Sequence, residues 1–258
     1  MTRYRVRALA VIGAAGLALA SGGVVAAQEA KTLKAYVMSM PSLPTQEAAK
    51  RYEQKHGVKI EFVAGPPGSW MNKVKEGDGD LVLMGSEYGM DDLQRDGLIL
   101  PETRASLGNR VAAILVPKGN PKRISSIRDL AAPGMRIMIM PAGGQVGLWE
   151  DVAAKAGLVT EIRRNIVERA ASGIKSVELW KDGAGTKYDA WLTWASFQAA
   201  LPEHTEIVEL PQDLQVMRSV AIAVTKASKK REEGEKFIAF LNGPEGRAIH
   251  EKHHFVFR

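Results

Sequence analysis

Two arginines and a set of small-residue turns carry most of the chemistry this sequence offers. Arg110 and Arg218 each stand beside an apolar residue, Val111 and Met217, where a charge is costly unless something pairs with it. A guanidinium is a planar fork that grips a carboxylate, sulfonate or phosphate through two hydrogen bonds, and it serves equally well in a structural ion pair with Asp or Glu. Small and polar residues gather at Ser39-Met40-Pro41-Ser42, at Gly65 to Trp70, at Gly85-Ser86-Glu87, at Ala142 to Gly147 and at Thr193-Trp194. Where such a stretch links a strand to a helix, the first amides of the helix are unpaired and suit an anion; an ordinary turn has the same composition. The candidate ligand-binding residues are therefore Ser39, Met40, Ser69, Trp70, Gly85, Ser86, Glu87, Arg110, Gly143, Gly144, Gln145, Thr193, Trp194 and Arg218. Trp70 and Trp194 either wall a pocket or sit in the core.

Three other patterns point elsewhere. His250-Glu251-Lys252-His253-His254 has the H-E-x-x-H spacing of a zinc protease, which would make the protein a secreted zinc-dependent hydrolase using His250 and His254. Only four residues follow, too few for a downstream third ligand, so the segment reads as an exposed terminal helix with a charged face. The turn after Ile137–Met140, with Glu168 further on, resembles a dinucleotide fingerprint, but Ala142 holds its first glycine position. Glu76-Gly77-Asp78-Gly79-Asp80 begins like a calcium loop, yet Leu81 stands where the sharp turn needs glycine. His56 and His204 lie in polar stretches and read as surface residues. No G-x-S-x-G elbow is present, so the chain reads as a binding protein and not an enzyme, with no catalytic residue, metal site or cofactor.

The elements that must position these residues follow from patterning. The chain has 258 residues, 45% hydrophobic and 25% charged, which excludes collagen-like, coiled-coil and wholly disordered classes. The absence of cysteine excludes disulfides, thiolate zinc sites, iron–sulfur clusters and an acylated lipobox. Arg3, Arg5 and Arg7 precede an uncharged run from Ala8 that ends at Val25-Ala26-Ala27, the layout of a cleavable signal peptide over residues 1–27. A retained membrane anchor is the alternative, although Ser21-Gly22-Gly23 interrupts the run. Without that segment 32 basic and 29 acidic residues remain, a net of +3 that gives nucleic-acid binding little support.

Strand and helix patterns then alternate. They predict strands at Leu33 to Met38, Val58 to Phe62 and Leu81 to Met84, with helices ending at Gly57, holding Trp70 and Val74, and running from Tyr88 to Asp96. Further strands are expected at Val111 to Val116, Ile137 to Met140, Asn165 to Glu168, Ala190 to Trp194, Glu206 to Leu210 and Leu214 to Thr225. A short helix at Ile127 to Ala131, one ending at Gly157 and two closing the chain complete the reading. Such alternation predicts an α/β protein with mainly parallel sheets flanked by helices. Two lobes fit the length, with 28–111 and 217–258 in one and 112–216 in the other. The two crossing segments would lie near Arg110 to Val116 and Val216 to Thr225.

Several stretches, in order, resemble a known family: Gly65-Pro66 with Trp70, Met84-Gly85-Ser86-Glu87, Ile114 to Pro121, Gly143 to Asp151, Asp189-Ala190-Trp191 and Arg218. The chain is similar to the accessory colonisation factor C group of periplasmic solute-binding proteins, relatives of the molybdate- and sulfate-binding proteins. That resemblance implies the two-lobed type II periplasmic binding protein fold, closing over a small anion in the interlobe cleft. The family's glycine-rich first loop is replaced by Met38-Ser39-Met40-Pro41-Ser42. The function expected is capture of an organic carboxylate or sulfonate, or of a tetrahedral oxyanion, by a monomer in the periplasm. The partner expected is an ABC permease or a chemoreceptor in the inner membrane, with no nucleic acid. A protein that kept the fold, lost the ligand and serves adhesion or signalling is the third reading.

Overall fold

The computed structural model describes residues 31–257, so the segment read as a signal peptide lies outside the described residues. The chain opens with β1 (Lys31–Val37), α1 (Leu43–His56), β2 (Val58–Ala64), α2 (Met71–Lys75), β3 (Leu81–Met84) and α3 (Glu87–Arg95). Apolar runs become strands and amphipathic stretches helices: α1 buries Ala48, Ala49 and Tyr52 and stops at Gly57. Ser42 precedes α1, but its hydroxyl donates to Ser39 O instead of capping the helix, and Thr45 is buried within it. Ser69 does not cap α2 either; its hydroxyl donates to Pro66 O, and Trp70 stands at the start of the helix.

The long strand β4 (Ala105–Pro117) leads to β5 (Ile137–Ile139), α4 (Leu148–Ala156), α5 (Val159–Asn165), β6 (Ile166–Arg169), α6 (Gly173–Gly183), β7 (Ala190–Trp194) and β8 (Thr205–Glu209). The strand β9 (Met217–Val224) returns, followed by α7 (Arg231–Asn242), α8 (Pro244–Lys252) and β10 (Phe255–Val256). The strand order is β2-β1-β3-β9-β4-β7-β5-β6, with β8 and β10 also pairing β4.

Pairing is mixed, not mainly parallel. The outer strands pair in parallel, β1 with β2 and β3, and β5 with β6 and β7. The central strands β4 and β9 run antiparallel to each other and to their other neighbours. β4 changes partners along its length: Ala105 to Val111 face β9, while Ala112 to Pro117 face β7 and β8. The apolar cores divide at the same place. One is built on Ile114, Ile137, Val152, Trp180 and Trp191, the others on Leu33, Leu81 and Phe237 and on Tyr36, Trp70 and Met90. Among the described residues no helix is long and apolar enough to cross a membrane.

The C-terminal helix corrects the expectation of an exposed, charged element. His250 is fully buried, with Nδ1 against Gly246 O at 2.8 Å and Nε2 against Thr45 Oγ1 at 3.3 Å. Its burial pushes the imidazole down to about 4, so it is neutral at physiological pH. His254 faces Gln198 instead, and no group of metal-binding side chains exists among the described residues. His56 and His204 are exposed.

Candidate functional site

Antiparallel pairing of β4 with β9 sets Arg110 directly opposite Arg218. Two like charges in register repel, so each needs its own compensation. They find it differently. Arg110 is 3% exposed and has no carboxylate partner among the described residues; its Nη2 donates to Gly85 O, just past the end of β3. Its guanidinium lies over the Trp194 ring, 4.8 Å from the centroid, and its Nε has no hydrogen-bond partner. Burial, with Arg218 opposite, pushes it down to about 9.

Arg218 turns outward. Its Nη1 donates to Gly144 O at 3.1 Å and Val146 O at 2.9 Å, and its Nη2 reaches Asp151 at 3.3 Å. The guanidinium is 5.9 Å from the same Trp194 ring. Of the two roles open to each arginine, Arg218 therefore takes up a structural ion pair and Arg110 does not.

Arg110 borders a cavity of about 350 Å³. Ser39, Met40, Ser69, Gly143, Gly144 and Gln145, all expected at a ligand site, line it with Arg110. They come from the connections β1 to α1 and β2 to α2, from the long strand β4, and from the turn after β5. Close packing accounts for the glycines of that turn. Gly143 has φ +53°, which L side chains rarely adopt, and a Cβ on Gly144 would lie 2.8 Å from Arg110 Nη2 and 3.1 Å from Gly85 O. Gln145 is 2% exposed; its Oε1 accepts from Thr193 Oγ1 at 3.0 Å, and its Nε2 has no partner. Two buried donors, Arg110 Nε and Gln145 Nε2, thus belong to residues bordering one cavity, with no protein acceptor for either. Buried N–H groups are normally paired, so both donors depart from the usual pattern.

A second cavity of about 580 Å³ adjoins the first across Gly143 and Gly144, and Ser86, Glu87 and Arg218 line it. Ser86 caps α3, its hydroxyl accepting from Gly89 N at 3.3 Å. Glu87 is committed to Arg104, at 2.5 Å. Gly85 borders neither cavity and acts through its carbonyl on Arg110.

The remaining expected residues sit behind the wall. Trp70 is 2% exposed, stacks on Tyr36 at 5.7 Å and donates through Nε1 to Gly65 O. Trp194 is fully buried against the two guanidinium groups, and Thr193 is fully buried behind Gln145. Neither tryptophan walls the cavity. That work falls to Met38, Met140, Ile174 and Phe197, which residue type alone does not single out. Ile174 belongs to α6, a helix absent from the sequence reading, whose signals are the Ser172 cap and burial of Ser176, Trp180 and Gly183 at helical spacing.

The carboxylates of the two motif look-alikes serve the structure. Asp78 accepts from Lys34 and from the Tyr36 hydroxyl, and Asp80 from Lys34 N and Ser228 Oγ. Glu168 faces the Tyr188 hydroxyl at 3.3 Å.

The chain is 26% identical over 247 residues to a sulfate-binding protein of Synechococcus elongatus, covering 85% of this chain and 68% of that one. It is 23% identical over 223 residues to the molybdate-binding protein ModA of Mycobacterium tuberculosis, covering 84% and 81%. PEB3 from Campylobacter jejuni superposes with a TM-score of 0.74 at 26% identity, covering 88% of this chain and all of that one. Its L-phospholactate complex gives 0.75 at 27% identity with the same coverage. The fold expected, that of type II periplasmic binding proteins, is the fold observed. Residues 33–256 match the family described as bacterial extracellular solute-binding protein, and the chain belongs to that family.

Proposed function

We propose that this protein captures a small anion in the cavity beside Arg110, in the periplasm, and delivers it to an ABC-type permease. The observation that carries the reading is Arg110 itself: a guanidinium nearly out of solvent, on a residue that lines the cavity, without a carboxylate partner among the described residues and with Nε unpartnered. An uncompensated buried cation is costly, and a bound anion removes that cost. Gln145 Nε2 supplies a second donor, and both donors are held before the ligand arrives.

The lobes in this reading are 28–111 with 217–258 and 112–216, joined through β4 and β9. The separate cores and the change of partners between Val111 and Ala112 support that division. Arg218, bound to carbonyls on the far side, holds the lobes closed. A ligand touching both lobes favours the closed state by its extra contacts there. The signal-peptide pattern supports export, and the sulfate- and molybdate-binding relatives support an anionic cargo.

The test is native mass spectrometry of the mature protein, followed by thermal-shift and calorimetric titration with inorganic and organic anions, including the L-phospholactate bound by PEB3. Saturable binding of an anion, lost in Arg110→Met, is the expected result. A folded protein that binds none of them overturns the reading.

A further inference from the structure

The cavity is asymmetric, and the asymmetry bears on what fills it. Arg110 and Gly144 meet at one end, where a Cβ on Gly144 would crowd Arg110 Nη2 and, behind the wall, Gly85 O. Gly173, Met40 and Phe197 meet at another, where a Cβ on Gly173 would lie 2.5 Å from Met40 Cγ and 3.5 Å from Phe197 Cζ. Among the described residues, Arg110 is the one formally charged side chain lining the cavity. The larger apolar side chains in its wall are Met38, Met40, Met140, Phe197 and Ile174, the last 56% exposed on the first turn of α6, and Ser39, Ser69 and Ser172 line it as well.

We infer that the ligand is an organic anion with a single charged headgroup, carboxylate or sulfonate, carried on a short apolar chain. This rests on the anion-capture reading above and narrows it. The headgroup faces Arg110 and Gln145, and the chain lies along the methionines toward Phe197 and Ile174. A bare tetrahedral oxyanion has five heavy atoms, whereas 350 Å³ is room for about a dozen waters at ~30 Å³ each, so such an oxyanion fills only part of the cavity. Such an oxyanion would leave the thioether and aromatic wall in contact with water. A second formal charge on the ligand would find no second cation among the described lining residues. A mostly apolar pocket with few, well-placed polar groups is the usual form of a site for an organic ligand.

The experiment is calorimetry on the mature protein with sulfate, molybdate and phosphate on one side. On the other are methanesulfonate, ethanesulfonate and propanesulfonate, with acetate, propionate and butyrate as the carboxylate arm. L-phospholactate, with two anionic groups, is the multiply charged arm. Affinity should rise about fourfold per added methylene in at least one organic series. Its longest member should bind about tenfold more tightly than any inorganic anion. Gly173→Ala, which crowds the Met40 end, should cut the gain per methylene. Sulfate or molybdate binding as tightly as the longest organic anion overturns the inference and leaves anion capture standing. So does a flat chain-length series, or L-phospholactate binding more tightly than every singly charged anion. Binding of no anion in any arm removes both readings.

Discussion

Replacing Arg110 by methionine is expected to stabilise the ligand-free protein while abolishing anion capture. Burial pushes the guanidinium down to about 9 from the ordinary arginine range, and at about 1.4 kcal/mol per pH unit that displacement amounts to roughly 5 kcal/mol against the folded state. Methionine removes this cost and, being unbranched and adaptable, fills most of the same volume. Two losses oppose the gain. Gly85 O forfeits its donor, which costs about 1–3 kcal/mol, and the contact with the Trp194 face disappears, which costs up to about 2 kcal/mol.

The balance is a net gain of about 0–4 kcal/mol, and its midpoint of about 2 kcal/mol raises the melting temperature of a chain of this length by about 4–8 °C. Truncating a buried charged partner costs about 2–5 kcal/mol in binding, so anion affinity should fall by at least about thirtyfold. Differential scanning calorimetry without ligand and isothermal titration with the best anion measure the two effects on one preparation. A variant that melts lower than the parent and keeps its affinity would falsify the argument, because Arg110 would then be a structural cation.

Other perturbations follow from the same geometry. Arg218→Ala removes its contacts to Gly144 O, Val146 O and Asp151 beyond the cleft, and at about 1 kcal/mol each the affinity should fall at least about tenfold. Stopped-flow kinetics should assign that loss to faster dissociation; an unchanged off-rate refutes the latch. Gly144→Ala places a methyl 2.8 Å from Arg110 Nη2, so small-angle scattering should find a more open protein, and an unaltered profile with full affinity contradicts the close approach. His250 is held near 4 against about 6.5 unfolded, so the unfolded state takes up the proton first as pH falls. Its contribution is complete above about pH 6.5 and is lost between there and about pH 4, amounting to roughly 3 kcal/mol. Urea titrations at stepped pH should show this loss, with a shallower acid limb in His250→Asn; identical acid limbs would count against it.

Much of the fold is legible because burial follows the pattern in the apolar runs. Leu81 to Met84 is buried at every position, and Val58 and Ile60 alternate with exposed neighbours. β4 is harder to read. Gly108, Asn109 and Arg110 interrupt its apolar run, and the register shift between Ser106 and Asn109 leaves no period of two to detect. The parallel expectation fails for a related reason: alternation of strands and helices says nothing about a strand that crosses between two halves. In the proposed division β4 and β9 are those strands, and both are antiparallel to their neighbours.

The candidate site shows where residue type stops being informative and partners begin to matter. Arg110 and Arg218 have the same chemistry and similar apolar neighbours in sequence. Yet one keeps an unpartnered nitrogen at a cavity, and the other is bound to Gly144 O, Val146 O and Asp151. Nothing local separates them, because Asp151 is 67 residues from Arg218 along the chain. The tryptophans illustrate the converse. Trp194 does lie close to the site, but strand alternation sends its ring behind the arginines, where it offers a face to both cations. Under the proposed anion capture its effect would therefore pass through Arg110: by holding the guanidinium against its face, the indole would set which edge of the fork is offered to an anion.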